Sequence, residues 1–332
     1  MSKNCMLSGT QRVVGAGQVD HEPSACGDYF LTIFNSGVPE ECGRRPMEAG
    51  RFGSNEAAYE AAIRHCAGSI LPMHLGEKLV NKIFGRSIQS HAAGLLAAMH
   101  CEAQIGMGDP PTLAVLQQKI GSPRTLASFF ALLKLAGYIR AVPVEGDRRQ
   151  KVLEPTHLLL DGLKTWLAHH LRCAEIAAVG LPAPGLADRL LSNADYGVRY
   201  VAGTRMLVAR TREEMARDHA WAWFDRYDCG DRIALALARS HYDPVARDAR
   251  EDWFPFEARS LASALGISHS HIRNVLNGAE ARGYLSQDRG RGRLRLEQPF
   301  LDDMRTWHLT FWGWLAEVAH GAEQDPEAEG SR

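Results

Sequence analysis

One arrangement of residues occurs twice in this 332-residue chain, and it limits what the chain can fold into. In the first copy two short helical stretches, Thr112 to Ile120 and Pro123 to Ala136, flank a break at Gly121-Ser122 and close at Gly137-Tyr138. A basic segment, IRAVPVEGDRRQKVLEP, then reads as two strands about a Gly-Asp turn and exits at Glu154-Pro155 into a helix from Thr156 to Ala178 that carries Trp166. The second copy runs EARSLASALGI, Ser268, HSHIRNVLNGAEARGYL, closing at Gly283-Tyr284. Its basic hairpin, SQDRGRGRLRLEQ, exits at Gln298-Pro299 into a helix to about Ala319 that carries Trp312. Apolar spacing passes from the period of a helix to that of a strand and back at corresponding points. Tyr138 to Trp166 and Tyr284 to Trp312 are each 28 positions apart.

Two short helices, a hairpin and a long helix are the parts of a winged helix-turn-helix unit. The expected fold is therefore mainly α: tandem winged helix-turn-helix domains, each of three or more helices plus a β-hairpin wing, joined by long helices as a pseudo-dimer. The expected divisions are a flexible arm over 1–53, a first domain over 54–178, a connector over 179–212, a second domain over 213–320 and an acidic, disordered tail over 321–332. A short extended piece is expected at Tyr29 to Phe34 within the arm. Ser54 is the expected N-cap of the first helix, Leu75 to Ala103 should form one helix stopped by Gly108-Asp109-Pro110-Pro111, and Ser122 should cap the helix that Pro123 begins. Arg212 to Tyr242 reads as largely helical.

The second helix of such a unit fits the major groove with its apolar stripe inward and a polar face outward. In the first copy Leu126, Phe129, Phe130 and Leu133 face in, leaving Ser122, Arg124, Thr125 and Ser128. In the second Ile272, Val275 and Leu276 face in, leaving Ser268, His269, Ser270, His271, Arg273 and Asn274 for bases and phosphates. The wings carry Arg148, Arg149 and Lys151 in one copy and Arg289, Arg291, Arg293 and Arg295 in the other. The chain's net charge is −1, yet residues 112–151 and 258–295 each hold seven Lys/Arg against two Asp/Glu, +5 apiece. Phosphate contact is what makes such clustering useful, so double-stranded DNA is the expected partner.

Other classes find little support. No stretch approaches the roughly 20 apolar residues of a membrane helix, and the N-terminus lacks the apolar core of a secretory signal; a cytoplasmic protein is expected. Cys5, Cys26, Cys42, Cys66, Cys101, Cys173 and Cys229 are scattered, odd in number and without a Cys-x-x-Cys pair, so they read as reduced thiols. His169-His170 and His269-x-His271 lack a Cys or carboxylate partner at metal-ligand spacing. No phosphate loop, nucleophile elbow or His-Glu-x-x-His helix is present. No catalytic residue, metal or cofactor is expected, and the chain does not read as an enzyme.

The stretch from Leu75 to Leu171, with TLAVLQQKIGSPRTLASFFALLKLAGYI, the wing GDRRQKVLEPT and its Asp147-Arg148-Arg149, resembles the MarR family of bacterial transcriptional regulators. Residues 213–319 resemble a more divergent copy with RGRGR in the wing. Members of that family are homodimers whose terminal helices interlock. The resemblance thus implies a single-chain pseudo-dimer, itself monomeric or a homodimer, that acts on an asymmetric operator, as a repressor more readily than an activator. It also implies a small aromatic effector, for which Trp166, Trp221 and Trp312 are the candidate pocket, with Trp223, Phe311 and Trp314 near in sequence; aromatic packing in a helical core is the competing account. A tandem winged-helix replication initiator and a winged-helix protein-interaction scaffold are the alternative functions.

Overall fold

Asn55 opens the first helix. Its Oδ1 accepts from the Ala57 N–H at 3.1 Å, so α1 spans Glu56–Ile70 and is capped one residue past the expected Ser54. The computed structural model describes residues 55–144, 147–243, 245 and 252–324, and of residues 147–149 the backbone alone. Ser54, the arm over 1–53 with its expected extended piece, the side chains of Arg148 and Arg149 and the acidic tail beyond 324 lie outside the described residues. The described residues belong to one unit of the chain, and its secondary structure is mainly helical.

The single helix expected over Leu75 to Ala103 is two helices, α2 (Lys78–Phe84) and α3 (Ser87–Gln104). The break has a tertiary cause. The Gly85 carbonyl accepts from the Cys229 N–H at 2.7 Å, and the Phe84 carbonyl accepts from the buried Arg232 guanidinium at 2.8 Å. Both carbonyls would otherwise accept from amides one turn on.

The helices α4 (Leu113–Ile120) and α5 (Pro123–Leu135) follow, then β1 (Ile139–Val144) and β2 (Asp147–Pro155), then α6 (His157–Ile176). Thr112 caps α4 by accepting from the Val115 N–H at 3.4 Å. Ser122 does not cap α5 as expected: it sits in the left-handed region at φ 51° and makes no side-chain cap bond. The tight corner between α4 and α5 takes that backbone, with Gln117 Nε2 donating across it to the Pro123 carbonyl at 2.7 Å.

Residues 179–212, expected as a connector with a short mixed stretch, are mostly helix: α7 (Leu186–Ser192), α8 (Ala194–Gly203) and the start of α9 (Arg205–Met215). Tyr196 and Tyr200, one turn apart on α8, are fully buried, and the Tyr200 hydroxyl donates to the Leu315 carbonyl at 3.2 Å. Burial of that face is why the segment folds. Arg212 to Tyr242 is interrupted after α9 and again between α10 (Ala220–Asp225) and α11 (Gly230–His241).

The second copy holds β3 (Phe254–Pro255), α12 (Ala258–Leu265), α13 (His269–Ala281), β4 (Leu285–Asp288), β5 (Arg293–Leu296) and α14 (Gln298–Glu323). The last helix runs four residues past the expected Ala319, tied down where Glu323 pairs with Arg189. Strands β1 and β2 pair antiparallel, Ile139 opposite Pro155; β4 and β5 pair with Leu285 opposite Leu296, and β3 adds to the far edge of β5.

The two copies close with the same bonds. Gly137 and Gly283 lie at φ 80° and 73°, a conformation glycine adopts without a Cβ penalty. The following Tyr138 and Tyr284 donate back to the Leu133 and Ala279 carbonyls, each at 2.9 Å. Their own carbonyls then accept from the Thr156 and Glu297 N–H groups, at 2.9 and 3.0 Å, where the long helices begin. In the second copy β3 precedes α12 and pairs with β5; in the first, Thr112 makes an isolated bridge to Val152 of β2. The equal Tyr-to-Trp interval has no such basis. The equivalent caps are Thr156 and Glu297, so the first hairpin is longer and Trp166 and Trp312 fall at different depths along their helices.

Apolar side chains gather into two cores. The smaller is built from α2, α3, α4, α5, the first hairpin and Leu159, with Leu96, Leu116, Leu126 and Leu133 fully buried. The larger joins α1, α6, α7, α8, α10, α11 and α14 to α12, α13 and the second hairpin without interruption.

Candidate nucleic-acid interface

Helix α13 buries Ile272, Val275, Leu276 and Ala279. Its spacing leaves His269, Ser270, Arg273 and Asn274 exposed on one face at the N-terminal end, where unpaired N–H groups attract anions. Two residues expected on that face have other work. Ser268 Oγ accepts from the His271 N–H at 3.1 Å and caps the helix. The half-buried His271 ring reaches the Asp228 carbonyl, Nε2 at 3.0 Å; a carbonyl only accepts, so Nε2 carries the proton. His271 thus anchors α13 to the turn before α11.

The second hairpin lies against α13. Arg289 donates to Glu280 Oε2 at 2.5 Å and to Asn277 Oδ1 at 3.2 Å. Opposing some desolvation, bonds from Arg289 and Gln287 hold the Glu280 carboxyl below its usual range. Arg291 pairs loosely with Asp288 at 3.8 Å. Arg293 donates to the Trp253 carbonyl at 3.4 Å, and Arg295 pairs with Glu297 at 2.9 Å. Arg289 and Arg291 nonetheless keep 62% and 73% of their side chains in solvent. Between helix and wing is a groove of about 130 Å³ onto which His269, Arg273, Arg289 and Arg293 converge. Asp288 lines the same groove and pairs loosely with Arg291, while Arg289 is engaged by Glu280.

On α5, Leu126, Phe129, Phe130 and Leu133 are buried, Arg124, Thr125 and Ser128 are exposed and Ser122 is half-buried. Arg124 forms no ion pair with a described residue. Lys151 is exposed on β2. Lys119 and Lys134, at the C-terminal turns of α4 and α5, are also exposed; their positions in the last helical turn were a legible but unused signal. The partners of Arg289 were missed as well, because Asn277 and Glu280 face the hairpin only once it folds back on α13.

The tryptophans expected to line an effector pocket, Trp166, Trp221 and Trp312, each pack against other aromatic rings. Trp312 is fully buried, its Nε1–H donating to His170 Nδ1 at 3.2 Å. Trp166 stands edge-on to His170, ring centres 4.3 Å apart, and Trp221 stacks on Trp307 at 5.8 Å. Cys66, Cys101, Cys173 and Cys229 are buried free thiols. Their ionisation is governed by their neighbours: a hydrogen bond with Cys173 chiefly holds the Cys66 thiol well below its usual range, whereas burial pushes Cys101 and Cys229 up to about 11. The described residues contain no group of three or more ligating side chains suited to a metal ion, and no described helix is long and apolar enough to cross a membrane. No family model, curated protein or solved structure matches the chain significantly.

Proposed function

We propose that the chain is a sequence-specific double-stranded DNA-binding regulator, made of two winged helix-turn-helix units that act together as a single-chain pseudo-dimer. The observation that carries this is the repetition itself. Two helix–corner–helix–hairpin units end in the same pair of backbone bonds at Gly137-Tyr138 and Gly283-Tyr284, and each turns a polar helix face outward beside a basic hairpin. The exposed residues of the two faces differ: Arg124, Thr125 and Ser128 against His269, Ser270, Arg273 and Asn274. An asymmetric operator follows, and occlusion of a promoter by two lobes favours repression.

The test is a fluorescence-anisotropy titration of the protein against DNA from its own promoter and a scrambled duplex at several salt concentrations. The expected result is promoter binding with a steep salt slope and a preference of at least about a thousandfold over scrambled DNA. Equal, weak binding to both duplexes counts against the proposal. One observation favours a second reading, a protein-interaction scaffold: Arg289, Arg291 and Arg295 already pair with carboxylates of their own lobe. Partner binding insensitive to salt and to those arginines would support it.

A further inference from the structure

Helices α1 and α6 pack side by side in the larger core, and two histidines meet across their seam. His65 on α1 and His169 on α6 stand with ring centres 6.2 Å apart, although 104 positions separate them in the chain. Both are half-buried, so each ring is held by its surroundings and reachable from solvent. Their chain neighbours Cys66, Ala168 and His170 are buried, which fixes both helices beneath the pair. A site carried on packed helices keeps its spacing better than one on loops. The distance suits a shared metal ion. Two imidazole nitrogens each about 2.1 Å from one ion put their ring centres roughly 5–6.5 Å apart. Burial chiefly holds both rings below the usual histidine range, against the nearby charge of Cys66, and a neutral ring has one nitrogen lone pair to give. The His65 Nε2 lies 3.4 Å from Ser69 Oγ, a contact of the kind that orients a ligating imidazole through its other nitrogen. Arg172, whose charge reaches both rings, is matched by two carboxylates, Glu175 at 3.2 Å and Asp188 at 2.7 Å.

We propose that His65 and His169 together bind one divalent transition-metal ion, of the zinc or nickel kind, which joins α1 to α6. Imidazole nitrogens suit such ions, whereas magnesium and calcium take oxygen ligands. Two ligands from the protein leave the remaining positions to water, so the ion exchanges with solvent, unlike the closed four-ligand sites that hold zinc structurally. The pair does not rely on a third ligating side chain, in keeping with the described residues, which hold no group of three. Helix α6 leads out of the first hairpin, and the ion would fasten that exit to α1. The site stands apart from the proposed DNA interface, and its test contains no DNA.

The test is isothermal titration calorimetry of the full chain near neutral pH with zinc chloride, nickel chloride and magnesium chloride, beside thermal melts. The expected result is a site for zinc and for nickel with Kd below about 0.1 mM, no heat from magnesium, and a melting temperature raised at least about 2 °C by saturating zinc. His65→Gln and His169→Gln should each remove one equivalent of bound ion or weaken it at least about tenfold, and without metal should melt within about 2 °C of the parent. Cys66→Ala keeps both rings and should retain the site in a chain with the parent's helical circular dichroism. Zinc and nickel both silent on the parent chain would overturn the proposal whatever the variants do. So would binding untouched by either histidine substitution, binding lost from a folded Cys66→Ala chain, or a glutamine variant that melts far below the parent without metal, since the ring pair would then be a packing contact.

Discussion

The two helix–corner–helix–hairpin units share an outline and differ in what stands behind them. The first closes on its own core, and the second has none that is separate: α12, α13 and the second hairpin continue into the helices α1, α6 and α14. Their second helices are held differently as well. Helix α13 is capped by Ser268 and anchored through His271. It is also pressed against Trp223, where a Cβ on Gly278 would come within 2.9 Å of the indole. Helix α5 lacks a side-chain cap, and its exposed Arg124 has no ion pair among the described residues. One outline therefore serves a unit that is part of the central structure and another attached to it. The attachment includes Arg86 with Asp228 at 2.6 Å and Arg232 with the Phe84 carbonyl.

The sharpest way to break this comparison is in the cores. Phe129→Ala should cost about 3–5 kcal/mol, and hydrogen exchange should show the loss concentrated in α4, α5 and β1 while α14 stays protected. Ile272→Ala should cost about 2–5 kcal/mol and lower protection across the large core. Equal loss of protection in α14 from both substitutions would mean the cores are not separable.

Next come the outward faces. Arg124→Ala and Arg273→Ala should each reduce discrimination between sequences by about 1–3 kcal/mol, at different halves of an operator, as read by binding to half-site variants. Loss at the same half would undo the pseudo-dimer. The wings should then part company: Lys151→Ala should lower the salt slope by about one, whereas Glu280→Gln, which releases Arg289, should strengthen binding to all duplexes.

A pH-dependent effect concerns the seam. Burial, then the nearby Asp231 charge, pushes the Asp225 carboxyl up to about 7, against a Ser87 hydrogen bond and Arg232. The folded state thus holds a proton that the unfolded chain gives up near pH 4. Its contribution to stability is present below that pH and is lost as pH rises towards 7. Thermal melts of Asp225→Asn should fall less steeply than the parent between those values. Parallel curves would show that Asp225 titrates as an ordinary carboxylate.

Local chemistry made much of this visible from residues alone. Gly137 and Gly283 as stops and both basic hairpins depend on neighbours close along the chain. What stayed hidden depends on distant partners. The break at Gly85 needs the Cys229 amide, 144 positions on. The helices within 179–212 bury Tyr196 and Tyr200 against a helix more than 100 residues later; their one-turn spacing was present, but Gly197 and Arg199 between them obscured it. A two-residue strand such as Phe254–Pro255 is too short to show a period at all. The bonding of Ser268 and His271 could not be told from a free polar face, because both uses place the same residue types at a helix start.

Helix α14 leaves the second hairpin and reaches α6, α8 and α10 before it ends, so the two units meet through a core within one polypeptide. For subunits that associate, dilution shifts the balance towards separated partners. Here the two units are held at a fixed ratio of one to one whatever the amount of protein, and their mutual contact is a folding equilibrium without a concentration term. A cell making very few copies of this chain would lose none of that pairing.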